Sequence, residues 1–463
     1  MSILSQNIER LYKFGEQIRY FHSCIANYRS AVPKLSPQDV NHILRTYEHS
    51  QDFHEGSVKS YDSNQLPSNY PMEDSRSEAS SLFSSSHLFG VFDGHAGPAC
   101  SQIIAKRLMR YIGVSLVPPD LLKRQLESGA ESYSFLKCHN DKVDFVAEIQ
   151  GIYEKSFSLY AHHLCNNPTN LLPFREVLEN AFLRLDNDIS NEALQSPSLR
   201  TMSVAMSGSV ACVAHVNGNN LHIASTGDCG AVLGSISDTG QFMTTLLTDA
   251  HNSENLAECR RIFSEHPPNE RDTVIRGDRL LGQLAPLRAF GDFRYKWPVD
   301  LLQKVAIPQY GEHVIAPNYY TPPYLTAFPE VTHHILTPND RFLVIASDGL
   351  WDVISPMQVT QLVAEHMSGK AFLKPMELPK RDITLGEVSE MLNQRRLGLQ
   401  KKPQDQNAAT HLIRHALGGS EYGLEHSKIA HLLSLPQDVV RLFRDDITVT
   451  VIFFDHEYLT HST

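Results

Sequence analysis

The sequence predicts a mixed α and β protein built on antiparallel sheet, and three observations carry that expectation. Ser207 to Val216 and Leu221 to Thr226 are apolar-rich runs joined by Asn217-Gly218, the strongest hairpin signal in the chain. Arg341 to Ser347 and Ile447 to Phe454 are apolar runs far too short to span a bilayer, and they read as buried strands. Two amphipathic helices complete the set. One opens at Pro98 and runs through Ile103, Ile104, Leu108 and Ile112; the other covers roughly Phe174 to Ala193, with Leu178, Ala181, Phe182, Leu185 and Ile189 on one face.

In chain order, residues 1–34 come first. Leu4, Ile8, Leu11 and Ile18 fall at helical spacing, while Arg10, Lys13, Arg19, Arg29 and Lys34 outnumber Glu9 and Glu16. An import presequence has this basic, amphipathic character, and so does an ordinary surface helix. Ser36-Pro-Gln-Asp39 caps a short helix, after which a polar stretch runs to about residue 65. The Ser-rich text from Ser80 to Ser86 is a loop feeding the strand Leu88 to Phe92. That strand ends in Asp93-Gly94-His95, so Asp93 stands at a strand-to-helix corner. Residues 118–170 read as an insertion with its own helices. Ala231 to Ile236 and Gln241 to Leu247 form a second hairpin. Pro/Tyr-rich text from Trp297 to Pro329 reads as an extended loop, and residues 369–406, with Lys374, Lys380, Lys401 and Lys402, as a second insertion. The expected organisation is a targeting segment over 1–34 and a single domain over 35–463.

Composition excludes several classes of function. The 463 residues hold 41 Lys and Arg against 52 Asp and Glu, a net charge of -11 with no basic stripe, which argues against a binder of nucleic acid or anionic membrane. Seven scattered cysteines without a Cys-x-x-Cys pair suit neither a secreted disulfide framework nor a zinc knuckle, and a reducing compartment fits best.

Five acidic motifs stand at the ends of expected strands: Glu73-Asp74, Asp93-Gly94-His95, Gly227-Asp228, Asp348-Gly349 and Asp445-Asp446. A single Asp-Gly is most often a turn. Several carboxylates gathered at one rim repel one another and call for hard divalent cations, which prefer oxygen ligands. Two such ions side by side activate water and neutralise phosphoryl oxygens, the chemistry that hydrolyses a phosphomonoester.

Gly90-Val-Phe-Asp-Gly-His95, Ala346-Ser-Asp-Gly-Leu-Trp-Asp-Val353 and Arg444-Asp-Asp-Ile-Thr-Val449, in this order, resemble the metal-dependent serine/threonine protein phosphatase (PPM) family. Met72-Glu73-Asp74, Ser207-Gly-Ser-Val-Ala211, Thr226-Gly-Asp228 and Arg288-Ala-Phe-Gly-Asp292 extend the likeness, which covers about Asn69 to Phe454. The resemblance implies a four-layer α-β-β-α sandwich of two antiparallel sheets flanked by helices, with two Mg2+ or Mn2+ ions in a cleft at one end. It implies that Asp93 bridges the ions, that Glu73 and the Gly94 carbonyl complete one site, and that Asp348 and Asp445 hold the other. Asp228 falls where a third, weaker ion binds, and Asp74 and Asp292 hold waters or ligands from behind. His95 becomes the general acid toward the leaving oxygen. Asn69 departs from the family: an arginine that clasps the substrate phosphate is usual there, and Asn lacks its charge. Gly227-Asp-Cys-Gly230 likewise lacks a usual arginine.

Further stretches, among them Tyr61-Asp-Ser-Asn-Gln-Leu-Pro67, Tyr319 to Ala327 and Asp405 to His415, look closest to the branch of the family that acts on the pyruvate dehydrogenase complex. That likeness implies a mitochondrial matrix enzyme that dephosphorylates and reactivates the pyruvate dehydrogenase component and docks on the lipoyl-bearing acetyltransferase core. A regulatory subunit, and calcium at a partner interface, go with it; the chain itself has no Asp-x-Asp-x-Asp-Gly calcium loop. Two other readings stay open from sequence: a phosphatase of this fold with a cytosolic signalling substrate, and a pseudophosphatase that binds phosphoproteins without turnover.

Overall fold

A computed structural model describes residues 35–127, 135–139, 147–169, 172–371, 384–400, 403–420 and 423–462. The amphipathic pattern of residues 1–34, and Lys374, Lys380, Lys401 and Lys402, lie outside the described residues.

In chain order the strands begin with β1 (His49–Asp52), β2 (Val58–Leu66), β3 (Ser75–Ser81), β4 (His87–His95), β5 (Leu136–Cys138) and β6 (Gly208–Asn217). They continue with β7 (Asn220–Thr226), β8 (Gly230–Ile236), β9 (Phe242–Leu246), the short pair β10 (Ile275–Arg276) and β11 (Arg279–Leu280), β12 (Phe290–Gly291) and β13 (Glu330–Ile335). β14 (Asp340–Ala346), the short pair β15 (Gly419–Ser420) and β16 (Gly423–Leu424), and β17 (Ile447–Phe454) follow. One sheet has the order β1-β2-β17-β14-β8-β9; the other runs β13-β7-β6-β4-β3-β5, with β12 added beside β6. Every pairing in both is antiparallel.

The sheets pack face to face through β14 and β17 against β4 and β6. Helices Ala99–Ser115 and Phe174–Gln195 cover the second sheet, and Pro356–Ala371 and Ala408–Gly418 cover the first. The expected four-layer α-β-β-α sandwich is therefore present. β14 shows why its sequence is apolar throughout: Leu343 and Ile345 face the core between the sheets, while Phe342, Val344 and Ala346 face the outer helices. A strand buried on both faces loses the polar alternation of a half-exposed one, and each such side chain contributes about 1.5–3 kcal/mol on burial.

The β6–β7 hairpin forms as the sequence predicts, with the turn one residue later, at Gly218-Asn219, where Gly218 has φ of 57°. The second hairpin is β8–β9. Helices Pro119–Glu127 and Ala147–Asn166 stand in the first expected insertion and Leu385–Gln400 in the second.

One expectation needs correction, and one stretch is more regular than its polar text suggests. The polar stretch up to residue 65 holds β1 and β2, and β2 lies inside the sheet. Its buried polar groups are satisfied by remote partners. The Asp62 carboxylate accepts from the Ala408 amide at 2.8 Å and Ser50 Oγ at 2.6 Å; Asn64 Nδ2 donates to the Leu44 carbonyl at 2.7 Å and Thr410 Oγ1 at 2.8 Å. The segment 297–329 is likewise not simply extended, since it contains helical turns at Val299–Leu301, Leu302–Ala306, Ile307–Tyr310 and Glu312–Val314. Leu302 and Ala306, four residues apart, are both fully buried and fix these turns on the core.

Candidate metal centre

Strand register brings the acidic motifs to one rim. Ser75 of β3 faces Phe92 of β4, so Glu73 and Asp74 enter beside the end of β4. At that end His95 faces Gly208 of β6. In the other sheet Ala346 pairs with both Gly230 and Val449, which sets Asp348, the Gly227-Asp228 turn and Asp445-Asp446 side by side. Close backbone approach seals the rim: a Cβ on Gly94 would stand 2.3 Å from the Glu73 carbonyl, and one on Gly349 would stand 2.0 Å from that of Asp446.

The carboxylates at this rim push one another's titration upward. Burial, then the charges of Asp74, Asp348 and Asp228, hold the Asp93 carboxyl well above the usual carboxylate range. Asp74 is raised by burial and by Asp446, and Asp348 is pushed up to about 7 by burial and then by Asp228. Burial also raises Asp228. Asp445 acts on both Asp348 and Asp352, and so belongs to the same group. Glu73 is buried; its Oε1 accepts from the Gly97 amide at 2.6 Å, whereas Oε2 has no hydrogen bond and faces Arg441 at 3.4 Å.

Among the described residues, no three His, Cys, Asp or Glu side chains are already grouped as they would be around a metal ion. The donor set nevertheless fits hard divalent cations. It is all oxygen, one buried carboxylate oxygen lacks a donor, and the mutual repulsion is of the kind a divalent charge relieves.

His95 stands at the edge of this group. Its Nε2 donates to Asp292 Oδ2 at 2.5 Å. Burial pulls the imidazole pKa down, but the charge and hydrogen bond of Asp292 outweigh it, and the result is raised. Asp292 holds a left-handed backbone with φ of 49°, an uncommon conformation for a side chain other than Gly, and it follows Gly291 at 66°. The two turns aim its carboxylate at the ring. Gly208 leaves room for the pair, since a Cβ there would lie 2.1 Å from both Asp292 Oδ2 and His95 Nε2.

Several residues that position this rim were given no role of their own in the sequence. Asp446 accepts from the amides of Asn69 at 2.8 Å and Glu73 at 2.8 Å, and so fixes the loop that delivers Glu73. Ser347 Oγ donates to Asp74 Oδ2 at 2.8 Å, Ser101 Oγ donates to the Glu73 carbonyl, and His251 Nδ1 accepts from the Gly227 amide at 3.1 Å. Asp446 and Ser347 carried a visible signal, their places in Arg444-Asp-Asp446 and Ala346-Ser-Asp348; Ser101 and His251 carried none.

Asn69 orders the rim. Its Nδ2 donates to Asp446 Oδ2 at 3.1 Å and Asp445 Oδ1 at 3.4 Å. The Arg444 guanidinium is tied to Ser68 Oγ at 2.6 Å and the Pro67 carbonyl at 2.8 Å. Cys229 is a buried thiol, held well above its ordinary pKa by burial and by Asp93.

The chain is similar to known proteins. The family described as protein phosphatase 2C matches residues 120–390, more than half of the chain. The mitochondrial pyruvate dehydrogenase (acetyl-transferring) phosphatase 1 of Bos taurus is 43% identical over 447 residues, covering 91% of this chain and 83% of that protein. The mitochondrial phosphatase 2 of the same name from Homo sapiens is 41% identical over 451 residues, covering 92% and 84%. A solved structure, the serine-threonine phosphatase 2C of Toxoplasma gondii, aligns with a TM-score of 0.45 at 16% identity, over 88% of this chain and 99% of that one.

Proposed function

The chain belongs to the protein phosphatase 2C family, and from that membership we propose that it dephosphorylates serine in the pyruvate dehydrogenase component and so reactivates the pyruvate dehydrogenase complex. The observation that carries the reading is the convergence of Glu73, Asp93, Asp228, Asp348 and Asp445 at one rim, beside a histidine with a raised pKa. Its substrate and mitochondrial setting are those in the names of relatives above 40% identity over nine-tenths of the chain.

Glu73, Asp93, the Gly94 carbonyl, Asp348 and Asp445 are the groups to hold two Mg2+ or Mn2+ ions, with Asp228 and Asp348 for a third, weaker one. When bound, such ions neutralise phosphoryl charge and lower the pKa of water at neutral pH. The chain's own part is positional and protonic. Asp292 keeps a proton on His95 Nε2, and the imidazolium carries its second proton on Nδ1, which it delivers to the departing serine oxygen. The ring left behind is neutral and still oriented by Asp292. Asp446 and Ser347 hold Glu73 and Asp74 in place. Arg441, beside Glu73, supplies an exposed positive charge where Asn69 supplies none.

The reading extends to the mitochondrial matrix, to docking on the lipoyl-bearing acetyltransferase core, and to calcium and a regulatory subunit acting at that interface. The experiment is phosphate release from phosphorylated pyruvate dehydrogenase complex, with Mg2+ or Mn2+ present or chelated, and with or without the lipoyl-bearing core. Metal-dependent release accelerated by the core supports the whole reading. Release from a generic phosphopeptide but none from the complex removes the substrate and leaves the phosphatase.

A further inference from the structure

A pocket of about 440 Å³ opens beside His95. His95 and Asp292 form one wall, and Gln283, Arg294, Tyr295 and His313 line the rest. Two of its acceptors, Gln283 Oε1 and the His313 carbonyl, are already occupied by groups of the pocket itself. Gln283 Oε1 accepts from Arg294 Nη2 at 2.9 Å and from the Tyr295 hydroxyl at 3.1 Å, which leaves the Gln283 amide NH2 as a donor. The His313 carbonyl accepts from Arg294 Nη2 at 3.2 Å. Asp292 is engaged by His95. Arg294 Nε is buried and has no hydrogen-bond acceptor among the described residues. Its guanidinium lies 5.0 Å from the Tyr295 ring centroid, a contact that steadies the cation.

The half-buried cation of Arg294 is out of keeping with a chain of net charge -11 and with the acidic rim near His95. Among the described residues the guanidinium donates only to two neutral acceptors, Gln283 Oε1 and the His313 carbonyl, so its charge is left uncompensated and can meet an anion from the pocket. Arg294 and Asp292 also share one structural cause: the left-handed turn at Asp292 leads directly into the helical turn Phe293–Tyr295. A single turn thus orients the proton donor and presents a cation to whatever lies next to the departing oxygen.

We propose that this pocket is a subsite for an acidic side chain, Asp or Glu, flanking the phosphorylated residue of the substrate, with Arg294 as the residue that determines specificity. The proposal deepens the phosphatase reading above and depends on it. Binding is a charge-assisted hydrogen bond from the guanidinium to the substrate carboxylate, supplemented by the Gln283 amide.

The test is a set of phosphoserine peptides carrying Asp, Asn or Lys at each of the three positions on either side of the phosphoserine, compared by kcat/KM. At one flanking position the Asp peptide is expected to exceed the Asn peptide by about tenfold, mostly through KM. In Arg294→Gln that ratio falls to about one, and in Arg294→Glu the Lys peptide becomes the better substrate. Inversion by charge reversal cannot come from a misfolded variant, which would lower all peptides together. Hydrolysis by the natural enzyme with no Asp preference at any position, or a preference that persists in Arg294→Gln and Arg294→Glu, overturns the subsite and leaves the phosphatase standing. No metal-dependent hydrolysis of any of these peptides overturns the phosphatase reading, and the subsite with it.

Discussion

Charge is buried in two contrasting ways in this molecule. Between helices Ala99–Ser115 and Phe174–Gln195, Arg107 makes a bidentate pair with Glu192 at 2.8 and 2.6 Å, and the Tyr111 hydroxyl donates to Asp188 at 2.7 Å, which also receives Arg184. Every charge there has an opposite partner. At the strand-end rim, Asp74, Asp93, Asp228 and Asp348 have one another, and all four carboxyls are raised. A satisfied network holds two helices in register; an unsatisfied one carries repulsion that is relieved by taking up protons or by a divalent cation that displaces them. The difference separates structure from chemistry without reference to any relative.

Breaking each network should therefore do opposite things. Asp93→Asn is expected to cost about a thousandfold or more in phosphopeptide turnover, while thermal unfolding of the metal-free protein stays put or moves up, because a repelling charge is gone. Near-normal turnover would remove Asp93 from the centre of the site. Arg107→Ala is expected to lose about 3–5 kcal/mol of stability, since it strands the Glu192 carboxylate. Its turnover per folded molecule should be retained, as urea unfolding and active-site titration together would show.

His95→Gln should slow a phosphoserine peptide by about a hundredfold and an aryl phosphate far less, because a phenolate departs without a proton. Equal losses on both substrates would argue against proton donation.

Asp348→Asn sharpens the contrast through pH. The Asp348 carboxyl titrates near 7 in the fold against an ordinary 3.8, so the folded chain holds this proton more tightly than the unfolded one. That contribution is fully present below pH 3.8 and is lost as pH rises through 7. Without metal, the substitution should then stabilise the protein at pH 8 by about 1–3 kcal/mol and much less at pH 5. Equal effects at both pH values would show that Asp348 is ionised and at ease in the fold.

The same contrast governs what could be read from the sequence. β14 and β17 were legible because burial on both faces leaves continuous apolar runs, and the β6–β7 hairpin because its turn carries Gly218. The acidic motifs were legible because each sits next to such a strand. β2 was not, since Asp62, Ser63 and Asn64 look like loop residues until the segment around Ala408 and Thr410 arrives to bond them. The roles of Asp446, Ser347 and Gly208 were hidden for the same reason: each is defined by a contact with a segment remote in sequence.

The most direct test of the central claim, that the rim is a divalent-cation site, is calorimetric titration of the metal-free protein with Mn2+ at pH 7 in two buffers of different ionisation enthalpy. The account predicts binding of about two ions coupled to proton release, because carboxyls raised as far as Asp348 must ionise to bind, and loss of both signals in Asp93→Asn. Absence of binding, or binding that releases no protons and is untouched by Asp93→Asn, would contradict it.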